Sequence, residues 1–154
     1  MIFSGSSHPV LAQEIAETLK MSLGSRELRL FPDGEIYVEI KDCVQGARVF
    51  LLQSFGSNPN FHLMETLIML DALKRAAALS IALVIPYYPY GRQNRINHSG
   101  APITARLLAD LMTRAGADNL ITMDLHSESI EGFFDIPVHH LLSSQLLIPY
   151  CEAL

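Results

Sequence analysis

The sequence predicts an α/β fold, in which a parallel sheet is flanked by helices on both faces. Short runs rich in Val, Ile, Leu and Phe alternate with longer stretches that carry apolar residues at helical spacing. Three of the short runs, which begin at Ala47, Ile81 and Asn119, are almost continuously apolar. Such runs are typical of parallel strands buried on both faces. We therefore expect a layered sheet that binds its ligand at the carboxyl ends of the strands.

The predicted strands are short and bounded by turn residues. They cover residues 1–4, 27–31, 35–40, 47–53, 81–85 and 119–123. The predicted helices cover residues 9–21, 61–77, 103–115 and 144–154, and helical spacing is clear in Leu63, Leu67 and Leu70. Residues 28–40 break the alternation. Here the turn sequence Pro32-Asp33-Gly34 lies between two short strands and predicts a small hairpin flap.

Composition limits the possible functions. With 16 acidic and 11 basic residues the formal net charge is −5, which argues against non-specific binding to nucleic acid or to an anionic membrane. The two cysteines form no metal-binding spacing, and no apolar run approaches the roughly 20 residues that cross a bilayer. We expect one globular domain over residues 1–154, located in the cytoplasm.

The turn between the two flap strands places an aromatic ring beside two carboxylates, in the sequence Phe31-Pro32-Asp33-Gly34-Glu35. This grouping could bind a ligand. The alternative is a phenylalanine in the core next to a solvated turn, which is a common arrangement.

The loop at residues 86–95 combines tyrosines with Arg92 and Arg95 at the end of a predicted strand. Planar guanidinium groups suit phosphate and can also stack on an adenine ring, so a mononucleotide fits this loop better than single-stranded nucleic acid does. The alternative is that the tyrosines pack at a subunit contact and the arginines are merely solvated.

A third loop, Asp124-Leu125-His126, directly follows the strand that ends at Met123. If this loop is extended, Asp124 and His126 face the crevice together and Leu125 turns inward. A carboxylate beside an imidazole can hold a hydrated divalent metal or contact a phosphate. In His139-His140 the two rings would point in opposite directions, and we interpret that pair as structural.

Several common nucleotide and hydrolase motifs are missing, including the P-loop, GxGxxG, GxSxG and HExxH. Five other blocks occur in order along almost the whole chain: FSGSSHPVLAQEIA, FPDGEIYVEI, NFHLMETLIMLDALKRA, IPYYPYGRQNR and GADNLITMDLHSESIEGFFDIPV. These blocks resemble the N-terminal half of the ribose-phosphate pyrophosphokinases, the enzymes that make phosphoribosyl pyrophosphate.

The resemblance implies a phosphoribosyltransferase-type fold and transfer of the ATP pyrophosphoryl group, with Mg²⁺, to the 1-hydroxyl of ribose 5-phosphate, leaving AMP. It implies that Phe31 and Arg92 sandwich adenine while the flap reaches into a neighbouring subunit's site. The ATP-binding positions it implies are Phe31, Asp33, Gly34, Glu35, Arg92, Gln93 and His126. His126, Asp124 and Asp135 match positions near the metal.

Two departures from the family's pattern concern charge. Asn94 and His139 stand where the family commonly has acidic residues, which removes negative charge near the expected cation sites. They favour an alternative in which the chain is a non-catalytic regulatory or scaffold relative that joins synthetase oligomers.

Length is the larger departure. The family's second half carries the catalytic lysine and arginine and the ribose 5-phosphate loop, and neither is found here. We expect residues 1–154 to form a single N-terminal ATP-binding domain that lacks catalytic residues of its own, is inactive alone, and self-associates around shared adenine sites.

Overall fold

A computed structural model describes residues 1–153 of the chain. In chain order the elements are β1 (Ile2–Ser4), α1 (Pro9–Thr18), β2 (Arg26–Leu30), β3 (Ile36–Ile40), β4 (Arg48–Leu52), α2 (Pro59–Arg75), β5 (Ser80–Ile85), α3 (Thr104–Ala115), β6 (Asn119–Met123), a 3₁₀ helix (Glu128–Phe133), β7 (Val138–Leu141) and α4 (Ser144–Glu152). Among the described residues, no helix is long and apolar enough to cross a membrane.

Five of the strands form one parallel sheet in the order β1-β4-β5-β6-β7. The register places Leu51 of β4 between Phe3 of β1 and Leu83 of β5, and Leu83 in turn pairs with Leu120 of β6. These four side chains share one face and are fully buried. The predicted α/β class and the parallel sheet are confirmed.

The core lies between this row and two helices. Met69, Leu70 and Leu73 of α2 and Leu108 and Met112 of α3 are buried in the same apolar cluster as the sheet residues. Burying a leucine or methionine side chain stabilises a fold by roughly 1.5–3 kcal/mol. This cluster therefore holds the carboxyl edge of the sheet, where the functional loops begin, in a fixed position.

The opposite face of the sheet is only partly covered. Helix α1 lies on this side, where Ile15 and Leu19 line a cavity together with Phe50 and Ile121. Phe50 is 42% exposed, so the expectation that the strand at 47–53 is buried on both faces is wrong for this side. Helix α1 ends at Thr18, two residues before Lys20, whose φ of 54° lies outside the helical range, and it covers only part of this face.

The predicted hairpin is confirmed as a separate two-stranded antiparallel sheet of β2 and β3. Val38 and Ile40 of β3 pack against the core, and the Arg26 side chain donates a hydrogen bond to the backbone carbonyl of Ser4. These contacts hold the base of the hairpin against the rest of the domain, and the turn of the hairpin projects away from the domain.

One strand was not predicted from the sequence. β7 pairs in parallel with β6 at the edge of the sheet and contains His139 and His140. The two histidines point to opposite sides, as expected for extended chain: His139 is exposed and lines a cavity that includes Ile121 on the open face, whereas the side chain of His140 is only 11% exposed.

Candidate functional site

A cavity of about 150 Å³ opens at the carboxyl ends of the neighbouring strands β5 and β6. It is lined by Tyr87, Tyr88, Gly91, Arg92, Asp124, Leu125 and His126. The loops after the two strands were identified from the sequence as separate candidates. The parallel sheet brings them together because the carboxyl ends of its strands lie at one edge.

The loop after β5 is fixed by a buried tyrosine. The Tyr88 hydroxyl donates a 2.8 Å hydrogen bond to the carbonyl of Ala105 in α3, and its ring contacts Phe134 edge-to-face at a centroid distance of 5.7 Å. Burial raises the pKa of Tyr88 well above its ordinary value, so the phenol stays neutral. A rigid base of this kind allows Arg92, which is exposed, to project from the loop at a defined point.

Gly91 allows the two loops to approach closely. A Cβ at this position would lie 3.2 Å from the Cβ of His126, closer than an ordinary van der Waals contact. Glycine therefore allows Arg92 and His126 to line the same small cavity.

Gln93 is engaged with the start of α3. Its carbonyl accepts a 3.1 Å hydrogen bond from the N–H of Ala105, and its side-chain oxygen accepts one from the Thr104 hydroxyl. The N-cap residue Ile103 has no side-chain cap of its own. Gln93 thus satisfies one backbone N–H and one side-chain hydroxyl at a helix N-terminus, which fixes the position of Arg92 beside it.

The loop after β6 differs from the extended chain expected from the sequence. Asp124 has φ of 44°, in the left-handed region, and its N–H donates to the carbonyl of Leu141. Its Oδ1 accepts a 3.0 Å hydrogen bond from the N–H of Ser143. The Ser143 hydroxyl and N–H together hold the pKa of Asp124 below its ordinary value, so the carboxylate is charged at neutral pH.

The expected directions of the side chains are nevertheless found. Asp124 and His126 are exposed and line the cavity, whereas Leu125 is partly buried against the core and contributes to the cavity lining as well. Asp135 is exposed between the 3₁₀ helix and β7 and does not line this cavity. Of the three residues predicted near a metal, the structure brings together Asp124 and His126 only.

The described residues contain no group of three or more His, Cys, Asp and Glu side chains that could hold a metal ion. Mg²⁺, however, is commonly bound through one or two carboxylates, with waters and substrate phosphates as its other ligands. Asp124, with His126 beside it, fits a magnesium ion whose ligands are mainly phosphate oxygens and waters.

The turn of the hairpin is built by local hydrogen bonds. The N–H of Gly34 donates to the carbonyl of Phe31 at 2.9 Å, and Asp33 Oδ1 accepts from the N–H of Glu35 at 3.2 Å. Gly34 has φ of 90°, which a residue with a Cβ rarely adopts. The turn leaves the side chains of Phe31, Asp33 and Glu35 exposed. The alternative of Phe31 as a core residue is therefore wrong.

Phe31 is one member of a stack on the hairpin. The guanidinium of Arg29 lies 4.7 Å from the centre of the Phe31 ring and 4.2 Å from that of Tyr37. The two rings contact each other edge-to-face at 5.8 Å. Arg29 also pairs with Glu27 at 3.0 Å. These contacts orient a phenylalanine that is 38% exposed.

The flap and the cavity are separate within one chain. Among residues 1–153, none of Phe31, Asp33, Gly34 and Glu35 lines the cavity that contains Arg92. A nucleotide bound beside Arg92 therefore has no contact in that cavity with the flap of the same chain.

Comparison with known proteins decides the family. A family model described as the N-terminal domain of ribose phosphate pyrophosphokinase matches residues 1–116. The chain belongs to this family. A ribose-phosphate pyrophosphokinase of Clostridium perfringens is 56% identical over 149 residues, which cover 97% of this chain and 47% of that protein. One of Mycobacterium leprae is 48% identical over 152 residues, or 99% of this chain and 46% of that protein.

A solved structure gives the same result for the fold. The crystal structure of phosphoribosylpyrophosphate synthetase from Mycobacterium smegmatis matches with a TM-score of 0.97 and 44% identity, covering 99% of this chain and 51% of that one. The chain thus corresponds to the N-terminal domain of a ribose-phosphate pyrophosphokinase and spans about half the length of its relatives. The names of these relatives give no support to the alternative of a non-catalytic subunit.

Sequence reasoning missed Arg29, and it interpreted His140 as structural without predicting its contacts in this pyrophosphokinase domain. Arg29 of β2 stacks on Phe31, which directly follows that strand, and the spacing of two residues is the sequence signal. His140 lies beneath the loop after β6, where its Nε2 accepts a hydrogen bond from the N–H of Leu125. The partners of His140 are set by the pairing of β6 with β7, which the sequence did not predict.

Proposed function

We propose that this domain binds ATP for pyrophosphoryl transfer to the 1-hydroxyl of ribose 5-phosphate, the reaction that yields phosphoribosyl pyrophosphate and AMP. The observation that carries the proposal is the convergence of Arg92, Asp124 and His126 on one cavity at the carboxyl edge of the sheet, in a chain of this family. A cytoplasmic location accords with this role.

In this mechanism the adenine ring stacks on the Arg92 guanidinium, and Phe31 from the flap of a second copy covers its other face. Asp33 and Glu35 of that flap present carboxylates to the edge of the base, and Gly34 gives the turn its shape. Gln93 keeps Arg92 in place through its bonds to α3.

In this mechanism His126 contacts the phosphates, because an imidazole N–H can donate to a phosphate oxygen. When bound, Mg²⁺ would neutralise charge on the phosphates, with Asp124 as the nearby carboxylate. The acceptor ribose 5-phosphate is held mainly by residues outside this domain.

The two departures from the family's acidic pattern do not alter this cavity. Neither Asn94 nor His139 lines it, and His139 lies on the open face of the sheet. Their replacement of carboxylates therefore leaves the charge of Asp124 as the local attraction for a cation.

The adenine stack is tested by calorimetry with Mg-ATP. Arg92→Ala and Phe31→Ala should each lose on the order of 1–2 kcal/mol, roughly five- to thirtyfold in affinity. Arg95→Ala is the matched control, since Arg95 is on the same loop but outside the cavity, where it bonds to Asn97. Unchanged affinity in both test variants would show that the sandwich is wrong.

Activity of the chain itself is a separate prediction. We expect residues 1–154 alone to produce no AMP from ATP and ribose 5-phosphate, because phosphoryl transfer requires both substrates to be positioned and the transferred group to be neutralised. A coupled assay for AMP measures this. Release that depends on ribose 5-phosphate would contradict the prediction.

A further inference from the structure

Both ring nitrogens of His140 are hydrogen-bonded beneath the candidate site. Nε2 accepts from the backbone N–H of Leu125 at 3.0 Å, and Nδ1 lies 2.6 Å from Oε1 of Glu131 in the 3₁₀ helix. The side chain is 11% exposed, so water has little access to replace these bonds.

These partners determine which tautomer His140 adopts. A backbone N–H can only donate, so Nε2 must carry a lone pair and no proton. In the neutral ring the proton is then on Nδ1, from which it is donated to the Glu131 carboxylate. Glu131 therefore keeps Nε2 available as an acceptor.

Leu125, which donates this hydrogen bond to His140, lies between Asp124 and His126 in the loop after β6. Asp124 precedes it with φ of 44°, a conformation that costs energy for a residue with a Cβ and persists only where its surroundings hold it. Its N–H donates to Leu141, and its side chain accepts from Ser143. β7 and the residues just after it thus supply three contacts that fix this backbone.

We propose that His140 is a positioning residue, held in the Nδ1–H tautomer by Glu131, that sets the backbone of residues 124–126 and so the placement of Asp124 and His126. The expected effect of His140 on ATP binding rests on the proposed function, whereas its effect on the backbone of residues 124–126 is independent of that function.

The tautomer is tested first, by NMR on the 154-residue chain without nucleotide. Long-range ¹H–¹⁵N spectra should show His140 with a protonated Nδ1 and an unprotonated Nε2. Glu131→Gln should shift the His140 nitrogens and the Leu125 amide. A protonated Nε2 in the unsubstituted chain would overturn the inference, whatever the protein binds.

The second test measures Mg-ATP affinity in variants that distinguish the hydrogen-bond acceptor of the His140 side chain from the space that the side chain fills. His140→Ala should weaken binding about three- to tenfold, the effect of losing one buried hydrogen bond. His140→Gln, whose side-chain oxygen can accept from Leu125, should recover part of that loss. Equal losses in the two variants would contradict an acceptor role.

His139→Ala is the matched control, because the neighbouring histidine lies outside the site cavity. It should leave both the Leu125 amide resonance and the Mg-ATP affinity unchanged. Arg92→Ala separates the two proposals, since it should weaken ATP binding while leaving the His140 tautomer intact. If the unsubstituted chain binds no ATP, the proposed function fails and the tautomer spectra still decide the role of His140.

Discussion

At the scale of single residues, Tyr88 shows how one buried side chain fixes a functional loop. Its hydroxyl bonds to Ala105 and its ring contacts Phe134, so it links the loop after β5 both to α3 and to the residues beyond β6. The phenylalanine variant would keep the ring contacts and lose only the hydroxyl.

Tyr88→Phe is therefore expected to lower the free energy of unfolding by about 1 kcal/mol, the usual contribution of one intramolecular hydrogen bond. Urea denaturation followed by circular dichroism measures this difference. Tyr87→Phe serves as the control, because Tyr87 is 58% exposed on the same loop and should leave stability unchanged. A loss of equal size in both variants would contradict the assigned role of the Ala105 bond.

The site residues differ in how far the sequence could predict them. Arg92 and His126 could be found because polar residues directly after apolar strands belong at one edge of a parallel sheet. The backbone of Asp124 could not, since its left-handed φ depends on contacts with Leu141 and Ser143. His140 was interpreted as structural, but its contacts could not be predicted for the same reason: its partners are in the loop after β6 and in a 3₁₀ helix that only tertiary structure brings near it.

At the scale of elements, charge pairs support the hairpin. Lys41, which directly follows β3, contacts Glu27 of β2 at 3.1 Å and Glu39 of β3 at 2.6 Å. Hydrogen bonds from Lys41, with further ones from Arg29 and Tyr37, hold the pKa of Glu27 and of Glu39 below the usual 4.5. The stabilisation is present above the unfolded pKa and is lost as the pH falls through the lower folded values.

We expect the hairpin amides to exchange hydrogen faster, relative to the sheet core, as the pH falls below 4.5, the ordinary pKa of a glutamate. Hydrogen exchange measured by NMR at several pH values tests this, after correction for intrinsic rates. Because the pairs are exposed, added salt should reduce the difference. In Lys41→Met the extra acid sensitivity should be absent; if it persists, other groups cause it.

The elements themselves were predictable to different degrees. The long apolar runs predicted the bounds of β4, β5 and β6 to within one residue, because burial of these strands determines their composition. β7 was missed, since a four-residue edge strand with two histidines has little of the apolar character of a strand. α1 was predicted too long because Leu19 and Met21 continue the apolar pattern beyond the point where Lys20 turns the backbone.

At the scale of the whole molecule, the separation of the flap from the cavity links nucleotide binding to the association of two copies of the chain, if the flap of one copy reaches the cavity of the other. If Phe31 completes the site of a second copy, nucleotide binding is linked to self-association. α4 also exposes a run of large apolar side chains, Leu146, Leu147, Ile148 and Tyr150. Exposed apolar groups of this kind are typical of surfaces that are covered by another unit.

We therefore expect at least a dimer, with Mg-ATP shifting the population to larger species. Sedimentation velocity over a range of protein concentrations, with and without Mg-ATP, measures the shift. Phe31→Ala should remove the effect of ATP without abolishing association that depends on other surfaces. A strictly monomeric chain that binds ATP with full dependence on Phe31 would place the whole site within one copy.

The hairpin has a further consequence for encounters between copies. β2 and β3 pair only with each other within residues 1–153, so the outer edge of each has no neighbouring strand. Charged side chains along a strand discourage such edge-to-edge pairing. Glu27 and Arg29 lie on β2, Glu39 lies on β3, and Lys41 directly follows β3. The hairpin can therefore present the Phe31 ring to a neighbour while its charges oppose fusion of the two backbones into a continuous, aggregating sheet.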